Sequence, residues 1–459
     1  MSSITFEEVS STESIPANTL IEGSGIWQVC WQLMTNMLAL ALSNLIEGWI
    51  AGRLGAQAQA AVGIGSQIWF FIMMLTLALS AGTTALLSRF WGARDFTTAV
   101  EVGRQALLCS VLFSIVSSAV GLSACPTVLK LVGASNDLAK VAFDYLQFCM
   151  ISMVPYTVLW ISNSIFRASG DAQTPLVTTI ICTAVTIALE LTFCLGPAGL
   201  GIKGIGLAWL VSSTLGMIIN FSKMRNSPLS GCCKIQATLQ QGVSVYWMKK
   251  FMGIGLPACV QDLSLLASSF VLFFFLSRTC DAVINQAAWA AGWRVEETLV
   301  IMPMYGLNMA AATIVGQNLG AKQPERAADG AWRVTALGAA INSVVAATLY
   351  FAGPTIAQLM CGTFAVRGAC ESYFSTLWWT EPFLAIWLIL SGAMQGAAYT
   401  RMPMCVTVFC FNIARSALII LGANAESQTA WNSMAFTSAL AGIMMIVHWH
   451  RRQWQSAKI

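Results

Sequence analysis

Charge is what this sequence has least of. Lys and Arg number 24 and Asp and Glu 20 in 459 residues, 10% of the chain, while 57% is hydrophobic; an ordinary soluble domain is roughly a quarter charged. With a mean hydropathy of +0.69, that shortage excludes a water-soluble globular protein and leaves a polytopic membrane protein. Histidine is scarcer still. The two, His448 and His450, stand beside Arg451 and Arg452 at the end of the last apolar run, a place that suits the membrane interface better than a metal centre. There is no phosphate-binding loop, nucleophile triad or metal-ligand cluster, which excludes ATP-driven transport on this chain alone and leaves no cofactor expected. Gly201-x-x-Gly204-x-Gly206 follows no strand and reads as small residues that let helices approach. A non-transporting membrane enzyme or receptor is disfavoured too, because neither a soluble domain nor a catalytic constellation is present.

Basic residues are missing from the first 25 positions, which carry Glu7, Glu8, Glu13 and Glu22. That segment lacks the start of a secretory signal peptide and reads as a short cytoplasmic tail. The net charge of +4 raises the question of nucleic acid, but the basic residues are scattered through loops and form no patch, so no nucleic-acid partner is expected. Cysteine is plentiful. The fourteen lie mostly in apolar runs without metal-site spacing and read as small packing residues.

Apolar runs long enough to span a bilayer need about 20 residues. Twelve are present, near 26–50, 62–88, 101–124, 138–166, 173–196, 203–222, 251–277, 284–311, 328–360, 371–396, 402–423 and 429–448. With the N-terminus inside, the inner loops and C-terminal tail hold sixteen Lys and Arg and the outer loops six, Arg53, Lys130, Lys140, Lys203, Arg278 and Arg367. This asymmetry places both ends in the cytoplasm. The sequence also repeats. Gly82 to Arg94 recurs 228 residues later as Ala310 to Lys322, and Phe166 to Pro175 recurs at the same offset as Met394 to Pro403. One offset found twice predicts an all-α membrane protein of two pseudo-symmetric six-helix bundles related by an axis along the membrane normal. The expected division is a tail over 1–25, an N-lobe over 26–222, a basic linker over 223–250, a C-lobe over 251–448 and a cytoplasmic tail over 449–459.

The few charges inside the spans are the candidates for function, since an ionised group in lipid costs at least about 3 kcal/mol. Glu47 and Glu190 stand out. Thr179, Thr183, Thr186 and Glu190 form one polar stripe on the fifth span, and Gln32, Asn36, Ser43 and Glu47, with Asn44 beside them, form another on the first. Both spans run outward, so the two acids lie at one depth and can meet. Such a pair can share a proton, or it can ligate a hard cation together with oxygens of Thr186, Ser43 and Asn44. The bland alternative is a pair of neutral acids that tie helices together. In the second half, Asp262, Glu296, Glu297, Glu381 and Arg415 all fall near mid-membrane, with Arg294 two to three residues before the paired acids. If Arg294 and Arg415 offset only part of the acid, a negative cleft with Gln261, Trp289, Trp293, Trp378 and Trp379 suits cationic aromatic compounds through charge and cation-π contacts. An internally neutralised Arg and Glu network is the alternative. Asp262 and Glu381 are the stronger candidates, having no basic neighbour in sequence.

Several of these segments resemble the multidrug and toxic compound extrusion (MATE) family. They are Asn44-Leu-Ile-Glu47 with Gly52-Arg-Leu-Gly55 and Ala60-Ala61, the Gly92-Ala93 turn, Phe166-Arg167-Ala168-x-Gly170-Asp171-x-x-Thr174-Pro175, Gly201-x-x-Gly204-x-Gly206, Gly292-x-Arg294-x-Glu296 and Val315-Gly316-Gln317-Asn318-x-Gly320-Ala321. The likeness runs from about 26 to 448. It implies twelve helices in two lobes and export of amphipathic, often cationic, small molecules coupled to Na+ or H+, by a monomer in the inner membrane of a bacterium. The family's acidic coupling positions fall on Glu47 and Glu190. Its usual Asp is Glu at both, its Asn falls on Thr186, its first-helix proline on Gln32 and a sixth-helix Thr on Trp209. The runner-up function is a flippase for a lipid-linked or polyisoprenoid intermediate, which calls for a basic cavity.

Overall fold

The computed structural model describes residues 24–131, 135–196, 199–233, 242–422 and 426–456. Among the described residues helix is the only regular structure. Twelve helices are long and apolar enough to cross a membrane: α1 Gly25–Leu54, α2 Ala56–Gly92, α3 Phe96–Leu131, α4 Asn136–Ser169, α5 Gln173–Leu195, α6 Lys203–Arg225, α7 Val245–Leu276, α8 Ala282–Gly320, α9 Pro324–Met360, α10 Phe364–Gly396, α11 Arg401–Leu421 and α12 Ser427–His450. Each coincides with an expected span, and most overrun it. The largest overrun at any one end is in α8, which continues past 311 to Gly320, with residues 310–319 all buried there. Most of the expected N-terminal tail, Lys234 of the linker and Lys458 of the C-terminal tail lie outside the described residues. The linker is shorter than expected at both ends, since α6 runs to Arg225 and α7 begins at Val245.

The internal repeat is written into the backbone. Helix ends with a left-handed residue occur at Arg94 and Lys322, and again at Gly170 and Ala398, two pairs 228 residues apart. Each closes with the same amide-to-carbonyl bond: Asp95 to Phe90 and Gln323 to Asn318, Asp171 to Phe166 and Tyr399 to Met394, all at 2.8–3.0 Å. This is the hydrogen bond of the Schellman cap, which satisfies a helix's last carbonyls.

Three hydrophobic clusters join the halves, a small one of Met74, Ala78 and Cys259 and two larger ones that lie at the same end. One sets Ile26, Val29, Cys30 and Leu33 of α1 among Leu307, Ile314 and Trp387 of the second half. The other sets Phe251 and Ile254 of α7 among Leu86, Val102 and Ile165 of the first. At the opposite end each half has its own core, Ile50 with Leu129 and Leu146 in one, Leu276 with Tyr373 and Trp431 in the other. The joined end is closed by backbone approach: a Cβ on Gly92 would collide with the Gln317 carbonyl, and one on Gly320 with that of Arg89. Gln317 Nε2 also donates to Ala168 O at 3.0 Å. Beyond α12 the chain turns at Arg452 and docks. Trp454 is fully buried and stacks on Trp449 at 4.1 Å, while Arg452 pairs with Glu325.

Candidate functional site

The two polar stripes face each other. Asn36 Nδ2 of α1 donates to Thr179 Oγ1 of α5 at 2.8 Å and to Pro175 O at 3.1 Å. Glu47 and Glu190 each come eleven residues later on their helices, about three turns, so the geometry that pairs Asn36 with Thr179 also brings the acids together. Each carboxylate is buried and within electrostatic reach of the other. Their surroundings differ. Glu47 Oε1 accepts from Tyr145 Oη of α4 at 2.9 Å, and its Oε2 accepts from Trp209 Nε1 of α6 at 3.1 Å. Neither Glu190 oxygen has a partner.

Of the other expected ligands, Ser43 is buried beside Glu47, while Thr186 is buried but donates to Ser212 Oγ of α6 at 2.7 Å. Asn44 departs from the expectation. It is exposed, because one residue of helix turns a side chain about 100° from its neighbour. Tyr145 and Ser212 carried no signal in the sequence, since their role depends on how α4 and α6 pack against α1 and α5. Trp209 stood out only as a departure from the family.

The C-lobe candidates divide into three settings. Glu296 of α8 is buried, accepts from Tyr373 Oη of α10, and lies within electrostatic reach of Arg415. Arg415 donates to Thr437 Oγ1 at 3.0 Å and Ser268 Oγ at 3.1 Å, with its guanidinium 4.8 Å over the Phe411 ring. Glu381 lies behind this pair, near enough to interact with Glu296, and one of its carboxylate oxygens has no partner. Asp262 is set apart, half-buried and accepting from Tyr305 Oη at 3.4 Å. Gln261 is buried with its Oε1 unpartnered.

Glu296 and Arg415 line a cavity with Trp289, Trp293, Tyr305 and Trp387. Arg294 is exposed, and its charge bears on Glu297, which is half-buried beside it, while Arg415 is the cation that bears on Glu296. Two further expectations are corrected. Trp378 and Trp379 are 40% and 45% exposed and lie outside that lining, because they fall on a tight 3-10 turn, Trp378–Thr380, that rotates them off the face carrying Glu381.

Helix irregularity marks four of these charged positions. π-helical turns run over Leu191–Leu195 after Glu190, over Glu297–Ile301 after Glu296 and over Val408–Ala414 before Arg415, and the 3-10 turn precedes Glu381. Such turns recur at functional sites because they loosen the regular backbone ladder.

Twelve helices in two like-oriented bundles, with charged groups buried in each, define a polytopic membrane protein of the transporter class. The MatE family profile matches residues 33–192 and 257–421, one stretch in each half. The chain belongs to that family of transporters. It is 22% identical over 456 residues to the "Probable multidrug resistance protein YoeA" of Bacillus subtilis, covering 94% of this chain and 95% of the relative. It is 25% identical over 293 residues to the "FAD transporter" of Shewanella oneidensis, 62% of each chain. A solved MOP-superfamily transporter from Pyrococcus furiosus superposes with a TM-score of 0.87 at 20% identity, over 96% of this chain and 98% of that one.

Proposed function

We propose that the chain is a cation-coupled antiporter that exports amphipathic, cationic small molecules by alternating access. The observation that carries this reading is the buried pair of facing carboxylates, Glu47 and Glu190, on two parallel helices of the N-lobe. Two acids so placed repel each other and are poorly solvated until an ion, H+ or Na+, loads them. Loading from outside would favour the conformation that releases drug outward, and by linkage drug and ion then weaken each other's binding. The cavity at Glu296, walled by Trp289, Trp293 and Trp387, offers aromatic faces and an acid to a cationic guest. The loop charge asymmetry supports both termini in the cytoplasm of a bacterium, so the joined end of the lobes is the cytoplasmic one. A relative named as an FAD transporter points to a second, anionic class of cargo, for which Arg415 in the cavity wall supplies a counter-charge. A lipid flippase finds less support, because the cavity lining carries one base, Arg415, offset by one acid, Glu296, and not the cluster of bases that a phosphate headgroup calls for.

The test is uptake of a fluorescent organic cation into proteoliposomes with acid and Na+ both in excess on one side. Wild type is expected to transport, and Glu47→Gln and Glu190→Gln are each expected to lose at least about nine-tenths of the rate while eluting as folded protein. Normal transport in both variants sinks the coupling site.

A further inference from the structure

Glu47 and Glu190 are chemically alike in unlike surroundings. Both oxygens of Glu47 are taken by donors, Tyr145 and Trp209, whereas both oxygens of Glu190 are buried and unpartnered. An indole N–H only donates, so Trp209 brings no lone pair to a cation, and the ring edge it turns to the site is the positive one. The indole is also held in place. Trp69 meets it edge-on at 5.3 Å and Tyr156 lies against it at 5.6 Å. Few oxygens remain. Asn44 faces outward and both Glu47 oxygens are bonded to donors, which leaves the Glu190 carboxylate and the hydroxyl oxygens of Ser43 and Thr186, while hard cations gather about six oxygens. A proton needs one.

We propose that Trp209 and Tyr145 are positioning residues that hold Glu47 as the fixed carboxylate of the pair, and that Glu190 carries the coupling ion, which is H+ and not Na+. This rests on the antiport reading above. In loading, a proton from the outer water bonds to a lone pair of one Glu190 oxygen; in unloading, that O–H bond breaks and the proton leaves to the inner water. No other bond changes. Neutral Glu190 relieves both its unpartnered burial and its repulsion with Glu47. The remaining titratable groups facing the pair are Tyr145 and Cys149 of α4 and Cys194 of the π-helical turn, with Cys125 of α3 behind Cys149. None of these is basic.

The test uses the full-length protein in proteoliposomes with tetraphenylphosphonium as probe, driven separately by a pH gradient and by a Na+ gradient. Wild type is expected to run on the pH gradient, with less than about a tenth of that rate on Na+ alone. In Trp209→Phe the Glu47 carboxylate loses a donor to its charged form and competes with Glu190 for the proton, so the pair loads at higher pH and the pH of half-maximal transport is expected to move upward, by up to about one unit, the worth of one donor to a charged acceptor. Equal transport on Na+ overturns the proton assignment and leaves antiport standing. No transport on either gradient, with native near-ultraviolet circular dichroism, overturns antiport itself. A Trp209→Phe protein that is slower at every pH with an unmoved midpoint makes Trp209 mere packing and defeats the positioning role. Should that variant not fold, Tyr145→Phe removes a single oxygen and carries the same readout.

Discussion

Two arginines entered the reading of this chain as equals, and their surroundings separate them. Arg294 is exposed, whereas Arg415 is buried with two hydroxyl partners and an aromatic ring beneath its guanidinium. Removing Arg415 leaves Glu296 and Glu381 facing each other without a cation. Arg415→Ala is therefore expected to destabilise the C-lobe by about 3 kcal/mol, the penalty of an orphaned buried charge, and Arg294→Ala by less than about 0.5 kcal/mol, as at an ordinary surface site. Thermal unfolding of the purified variants checks the contrast; equal losses would mean that the buried cluster is not held together by Arg415. At this scale the sequence revealed which residue types sit in the membrane. It could not tell Arg294 from Arg415, because burial is decided by which helix face meets a neighbour.

At the scale of elements, the pattern of apolar runs made twelve helices legible, and the repeat offset made their order legible. The caps sharpen that picture. Gly170 holds its left-handed turn at no steric cost, while its counterpart Ala398 holds the same conformation with a Cβ. Ala398→Gly is expected to raise stability by about 1 kcal/mol, the cost of a left-handed non-glycine residue, measured as an increase in unfolding temperature. No increase would mean that the docked loop stabilises alanine in other ways. The π-helical turns beside Glu190, Glu296 and Arg415 were not legible. A wider turn has no residue signature and arises where neighbouring helices force an extra residue into the ladder. The first helix carries Gln32 where the family resemblance led one to expect proline, and α1 runs without a break from Gly25 to Leu54, as the retained amide of glutamine permits.

For the whole molecule, the proposed alternating access requires the closed end of the two bundles to open. The closed end is a backbone-to-backbone crossing of α2 and α8 at Gly92 and Gly320, with no side chain between them. Gly92→Val should wedge it apart. Spin labels on the exposed positions 93 and 322 are expected to gain a longer-distance population in that variant, and an unchanged distribution would show that the crossing does not hold the closed state. Orientation has a native reporter in Cys280, exposed between α7 and α8. A membrane-impermeant maleimide is expected to label it in intact cells and to reach Cys233, on the linker side, only after permeabilisation; the reverse order would invert the topology.

Amino-acid composition and order alone determined that this chain lives in a bilayer, how many times it crosses, and that it is built twice over from one plan, because lipid demands long apolar helices and sequence repeats survive folding as structural repeats. The tertiary structure alone decided that Glu47 is tied by Tyr145 and Trp209 while Glu190 is left without a partner, that Arg415 bears on Glu296, and that one end of the molecule is shut. Those outcomes depend on rotations and contacts between helices far apart in sequence, and one helical position is enough to turn a side chain from a buried site to the surface, as Ser43 and Asn44 demonstrate.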